Sequence, residues 1–134
     1  MDASEQGLAE LLKRARLALA NAHAPYSNFE VGAAVRDEWG RIHVGVNVEN
    51  VSYGLTICAE RAAIFAAVAS GARRVTAVAV TARRLHPISP CGACRQVILE
   101  FADAATPVAS DDEHGNLVVT SAGALLPGAF LELG

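Results

Sequence analysis

Leu8, Leu11, Leu12, Ala15 and Leu19 recur at helical spacing between Ser4 and His23. One face of that stretch is apolar, which predicts an amphipathic helix that Pro25 prevents from continuing. Gly7 weakens its first turn. The period then drops to two. Phe29, Val31, Ala33 and Val35 alternate, a turn falls at 37–40, and Ile42, Val44, Val46 and Val48 share one face of a second run. Two antiparallel strands are expected. Residues 58–70 suit a helix ending at Gly71, 75–81 a short buried strand, and 91–102 a helix opening just after Pro90; 106–109 and 117–119 are further strand candidates. Strands interleaved with helices predict an α/β fold of three layers, α/β/α, around a central mixed sheet of about five strands.

No internal repeat and no linker-like segment divides the 134 residues, so one domain is expected across 1–134. Hydrophobic residues make up 52% and charged residues 19%, which excludes the disordered class. The formal charge is −3, and no basic run exceeds the pairs Arg73-Arg74 and Arg83-Arg84, so no nucleic-acid partner is expected. The start, Met1-Asp2-Ala3-Ser4-Glu5, is acidic where an export signal would be basic, and the longest apolar run, 62–69, falls far short of the ~20 residues that span a bilayer. A cytoplasmic location follows as the expectation. That same run carries no polar residue on any face of its helix. It needs cover all round, which predicts a homo-oligomer.

Cys58-Ala59-Glu60 and Pro90-Cys91-Gly92-Ala93-Cys94 hold all three cysteines, and each group sits where a helix begins. Helix N-termini favour thiolates, and three thiolates on Zn²⁺ leave the fourth tetrahedral position open, the arrangement of a catalytic site. The thiolates outweigh the ion by one negative charge, so Arg61 and Arg95, each beside a motif, are placed to donate hydrogen bonds to the sulfurs. Glu60, two residues past a ligand, suits a proton shuttle. Cys-x-x-Cys by itself also serves structural zinc sites and redox pairs. None of His23, His43, His86 and His114 is spaced as a fourth ligand, and a redox pair would leave Cys58 and Glu60 unexplained. The histidines are read as structural or solvent-exposed. Asn47 and Glu49, two apart, share a strand face; by residue type alone that is the wet face of an edge strand.

With Pro25-Tyr26-Ser27-Asn28-Phe29, Asn47-Val48-Glu49-Asn50, Cys58-Ala59-Glu60-Arg61, Pro90-Cys91-Gly92-Ala93-Cys94-Arg95-Gln96 and Leu125-Leu126-Pro127-Gly128-Ala129-Phe130 in order, the chain resembles the small, homotetrameric, three-cysteine zinc class of cytidine deaminases. The resemblance implies Cys58, Cys91 and Cys94 as zinc ligands, Glu60 as proton shuttle, Asn47 and Glu49 on the ribose hydroxyls, and Phe29 against the pyrimidine. It further implies base contacts from the backbone at Ala59, Tyr53 bordering the ribose, and Phe130 reaching a neighbouring subunit. Hydrolytic deamination of cytidine and 2′-deoxycytidine in pyrimidine salvage is the implied function. A relative acting on another amino-heterocycle such as blasticidin S, and a non-catalytic zinc-binding module, would use the same ligands.

Overall fold

The structure, a computed structural model, describes residues 4–132. The acidic Met1-Asp2-Ala3 start lies outside the described residues. Helix α1 (Glu5–Ala18) leads through a 3-10 turn to β1 (Val31–Asp37) and β2 (Ile42–Val46). Helix α2 (Ala59–Ala69), β3 (Val75–Ala82), α3 (Gly92–Phe101), β4 (Pro107–Asp111), β5 (Leu117–Ser121) and the short α4 (Ala122–Leu125) follow. The strands form one sheet in the order β2-β1-β3-β4-β5, with β3 and β4 parallel and the other neighbours antiparallel. The expected mixed five-stranded sheet between helical layers is what the chain adopts.

Its two faces have different packing. On one, Leu8, Leu11, Leu12 and Ala15 of α1 cover Ala34, Ala77, Ala79 and Ala109. On the other, Ala63, Ile64 and Ala67 of α2 and Ile98 and Leu99 of α3 cover Ala33, Val35, Val78, Val80 and Val108. β1 is therefore buried along its whole length. The alternation of apolar side chains from Phe29 to Val35 catches only one of its faces, because the intervening Gly32 and Ala34 are small and not polar.

Two glycines set the layer spacing. A Cβ on Gly32 would lie 2.2 Å from the Ala15 carbonyl oxygen of α1, and one on Gly45 would lie 2.3 Å from the Ala63 nitrogen of α2. The contact at Gly45 shows which side of β2 meets the helix. His43, Gly45 and Asn47 turn toward α2, whereas Val44 and Val48 stay largely exposed on the opposite side. A helix backbone pressed onto a strand needs the glycine face, so the valines are left for the side that α1 covers only in part.

Helix α2 also differs from a fully covered helix. Ala63, Ile64 and Ala67 are buried, but Phe65 is 48% exposed, with Ala66 and Ala69 beside it. Among the described residues no helix is long and apolar enough to cross a membrane.

Candidate active site

Cys58 is the N-cap of α2 and Cys91 the N-cap of α3, and neither sulfur accepts a capping hydrogen bond from the backbone N–H groups of its own helix. N-cap side chains ordinarily take up the free N–H groups of the first turn. Here they turn toward one another instead. Cys94 stands three residues past the cap, the spacing at which cap and first-turn side chains meet. The three sulfurs lie within 4.8 Å of one another, and all three cysteines are free.

The distances discriminate between uses of the cluster. Cys58 Sγ and Cys91 Sγ are 3.7 Å apart, well beyond the ~2.05 Å of a disulfide. Two thiolates on one tetrahedral Zn²⁺, each at about 2.3 Å, stand about 3.8 Å apart. The donor set therefore fits zinc, with three soft ligands and, among the described residues, no fourth protein ligand in the cluster.

Arg61 Nη2 donates to Cys58 Sγ at 3.4 Å. The Cys94 thiol donates to the same sulfur, and together with Arg61 and Cys91 it outweighs burial and holds Cys58 at about 5. Cys94 is pushed up, because its proton is engaged by Cys58 and the site is buried. Cys58 is thus the first of this pair to ionise.

Arg95 departs from its expected role. Its Nε donates to the Pro90 carbonyl at 2.7 Å, Nη1 to the Leu125 carbonyl at 2.9 Å and Nη2 to Ser89 Oγ at 3.0 Å. Its donors go to oxygen and not to sulfur. A planar guanidinium facing two carbonyls and a hydroxyl ties the loop before Cys91 to α4.

Glu60, in the first turn of α2, is 4% exposed. Burial, and secondarily the negative charge at Cys58, raise its carboxyl to about 7, against the opposing effect of its own backbone N–H and Arg61. A carboxyl poised there can both take and give a proton at neutral pH.

Cys58, Cys91, Ala59 and Glu60 line a hollow of about 220 Å³ together with Phe29, Val31, Asn47, Thr56, Ile88 and Ser89. A second hollow of about 290 Å³ is lined by Tyr26, Ser27, Glu49, Tyr53 and Thr56, so Thr56 borders both. The predicted residues are thereby divided. Phe29, Ala59 and Asn47 stand with the sulfurs, while Glu49 and Tyr53 stand in the adjoining space. Tyr53 packs edge-on against Tyr26, ring centres 6.2 Å apart.

Asn47 is 8% exposed. Its Oδ1 accepts from the Val31 N–H at 2.9 Å and its Nδ2 donates to the Phe29 carbonyl at 2.7 Å, so it fixes the entry to β1 as well as lining the hollow. Phe130 is 66% exposed and lines neither hollow; its carbonyl accepts from Gln96 Nε2. Sequence reasoning missed Thr56, Ile88 and Ser89. No spacing rule marks these loop positions, and only the folded path of the chain brings them to the site.

A layered α/β/α domain with three convergent thiols and a buried carboxyl on one cavity wall belongs to the zinc-dependent deaminase class. The comparisons narrow this further. The sequence pattern described as "Cytidine and deoxycytidylate deaminase zinc-binding region" matches residues 6–110. The cytidine deaminase of Sporosarcina psychrophila is 47% identical over 121 residues, covering 90% of this chain and 89% of that protein. That of Halalkalibacterium halodurans is 48% identical over 120 residues, covering 90% and 91%. The crystal structure of cytidine deaminase from Burkholderia pseudomallei superposes with a TM-score of 0.85 at 49% identity, covering 90% of this chain and 97% of that one. The chain belongs to the cytidine and deoxycytidylate deaminase family.

Proposed function

We propose that this protein is a zinc-dependent cytidine deaminase, converting cytidine and 2′-deoxycytidine to uridine and 2′-deoxyuridine with release of ammonia. The observation that carries the reading is one cavity wall on which Cys58, Cys91 and Glu60 meet. Cys58, Cys91 and Cys94 hold the metal. Zn²⁺, when bound, supplies the Lewis acidity that makes water a nucleophile near neutral pH. Glu60 accepts a proton from the attacking water and delivers it to N3 of the base, then takes the second proton from the hydroxyl now on C4 and passes it to the departing amine, leaving the C4 carbonyl and ammonia. Its carboxyl at about 7 suits both directions of transfer. Arg61, through Cys58, offsets part of the negative charge of three thiolates.

Phe29 and Val31 form the apolar wall against the pyrimidine, with the backbone at Ala59 contacting the base. Asn47 and Glu49 take the ribose hydroxyls, and Tyr53 borders the sugar. Among the described residues, none of those lining either hollow is Lys or Arg. A phosphorylated substrate would meet the Glu49 carboxylate with no Lys or Arg in the lining, which favours free nucleosides over nucleotides and nucleic acids.

We further propose a cytoplasmic homotetramer acting in pyrimidine salvage. The exposed strip of Phe65, Ala66 and Ala69 on α2 supports self-association, the count of four comes from the family resemblance, and Phe130 would reach a neighbouring subunit's site.

The test incubates zinc-loaded protein with cytidine, 2′-deoxycytidine, adenosine and blasticidin S in parallel, following absorbance loss and ammonia. Turnover of the first two alone is expected. Turnover of blasticidin S alone, or of none, overturns the reading.

A further inference from the structure

The turn at 26–29 joins the two hollows, and one hydroxyl lies at its centre. The Tyr26 and Ser27 backbone N–H groups donate to Glu49 Oε1 at 2.9 and 3.1 Å. Ser27 Oγ donates to Glu49 Oε2. The same Oγ accepts from the Phe29 N–H at 3.0 Å. Asn28 between them is in the left-handed region, φ 57°, where Asn is tolerated better than most side chains, and its carbonyl accepts from Arg84. Three of about four acceptor sites on the Glu49 carboxylate are therefore filled by this turn. The carboxyl is correspondingly held below the usual range, first by the Ser27 hydroxyl and then, against burial, by the two N–H groups.

We propose that Ser27 is a positioning residue for sugar recognition: its hydroxyl links Glu49 at the second hollow to the backbone of Phe29 at the first, so that carboxylate and ring are held in fixed relation before substrate enters. The proposal rests on Glu49 binding the ribose hydroxyls. A free glutamate side chain must be ordered when it binds, and holding it in place beforehand removes that cost. The remaining acceptor capacity of Glu49 is then available to a hydroxyl donor.

The experiment compares kcat and KM for cytidine and for 2′,3′-dideoxycytidine, which lacks both ring hydroxyls, in the zinc-loaded wild type, Ser27→Ala, Ser27→Thr and Glu49→Ala. In Ser27→Ala, KM for cytidine is expected to rise roughly five- to tenfold with kcat nearly unchanged. Dideoxycytidine kinetics should change less than those of cytidine, and Thr should restore the wild-type ratio of kcat/KM for the two substrates. An equal loss on both substrates, or a loss confined to kcat, overturns the proposal. If the ratio collapses in Glu49→Ala yet holds in Ser27→Ala, Ser27 has no such role while the sugar assignment stands. If Glu49→Ala keeps the ratio, the sugar assignment itself fails and the proposal with it. Thermal melts accompany every variant, and should Ser27→Ala not fold, the near-isosteric Ser27→Cys replaces it under the same criteria.

Discussion

Asp37 and Glu60 are both carboxylates shut off from solvent, at 0% side-chain and 4% residue exposure respectively, yet they are held in opposite ways. Asp37 closes β1 at the hairpin end. Burial alone would raise its carboxyl, but hydrogen bonds from His43, the backbone N–H groups of Arg41 and Trp39, and the Arg41 guanidinium outweigh burial and hold it at about 2. Glu60, in the first turn of α2, has no such ring of donors, and burial lifts it to about 7. A carboxylate surrounded by donors is a fixed anion that anchors a turn. One left without them can exchange its proton, which is what an acid–base catalyst requires.

The largest expected effect tests the Glu60 side. Glu60→Gln keeps shape and removes the exchangeable proton, so kcat for cytidine should fall at least about 10²–10⁴-fold, while the melting temperature and zinc content stay near wild type. Full activity would end the proposed mechanism. Asp37→Ala should do the reverse. Removing one partner of a buried charged cluster costs about 3 kcal/mol, read as a lower urea midpoint, with kcat retained wherever the protein is folded. Loss of turnover without loss of stability would erase the distinction between the two carboxylates.

Acid unfolding sharpens the same comparison. Because the folded-state pKa of Asp37 is depressed, its contribution to stability is fully present above the unfolded value of 3.8 and is lost as pH falls toward about 2. Stability measured between pH 5 and 2 should fall less steeply in Asp37→Asn than in the wild type. The smallest effect is expected from Arg41→Gln. Arg41 is half-exposed and stacks on Trp39 with its guanidinium carbon 5.0 Å from the ring centre, and a solvated partner of this kind contributes below ~1 kcal/mol. A larger loss would shift the anchoring role from His43 to Arg41.

The sequence made the metal cluster legible because its cysteines occur at helix starts with fixed spacing, information that survives without coordinates. It also showed Glu60, through its position two residues after Cys58. The second carboxylate was not visible in this way. Asp37 occupies an ordinary turn position, and its partner His43 reads only as a structural histidine until β2 folds back and brings the two to 2.8 Å. Arg95 illustrates the limit of adjacency. It follows a ligand in sequence, but the helix carries its side chain toward Pro90 and Leu125 and away from the sulfurs. The facing of β2 is not legible in the sequence for a related reason. Periodicity ranks valine above glycine as an inward residue, whereas the packed helix selects for the residue with no side chain.

Gly45 has a consequence for how the enzyme could change over generations. A methyl group there would collide with the Ala59 carbonyl, 2.5 Å away, and with the Ala63 nitrogen, acting as a wedge under the first two turns of the helix that begins at Cys58. The alignment of sulfur and carboxyl thus depends on an atom that is missing, and mutational drift at this codon would be blocked by steric clash well outside the chemistry it protects.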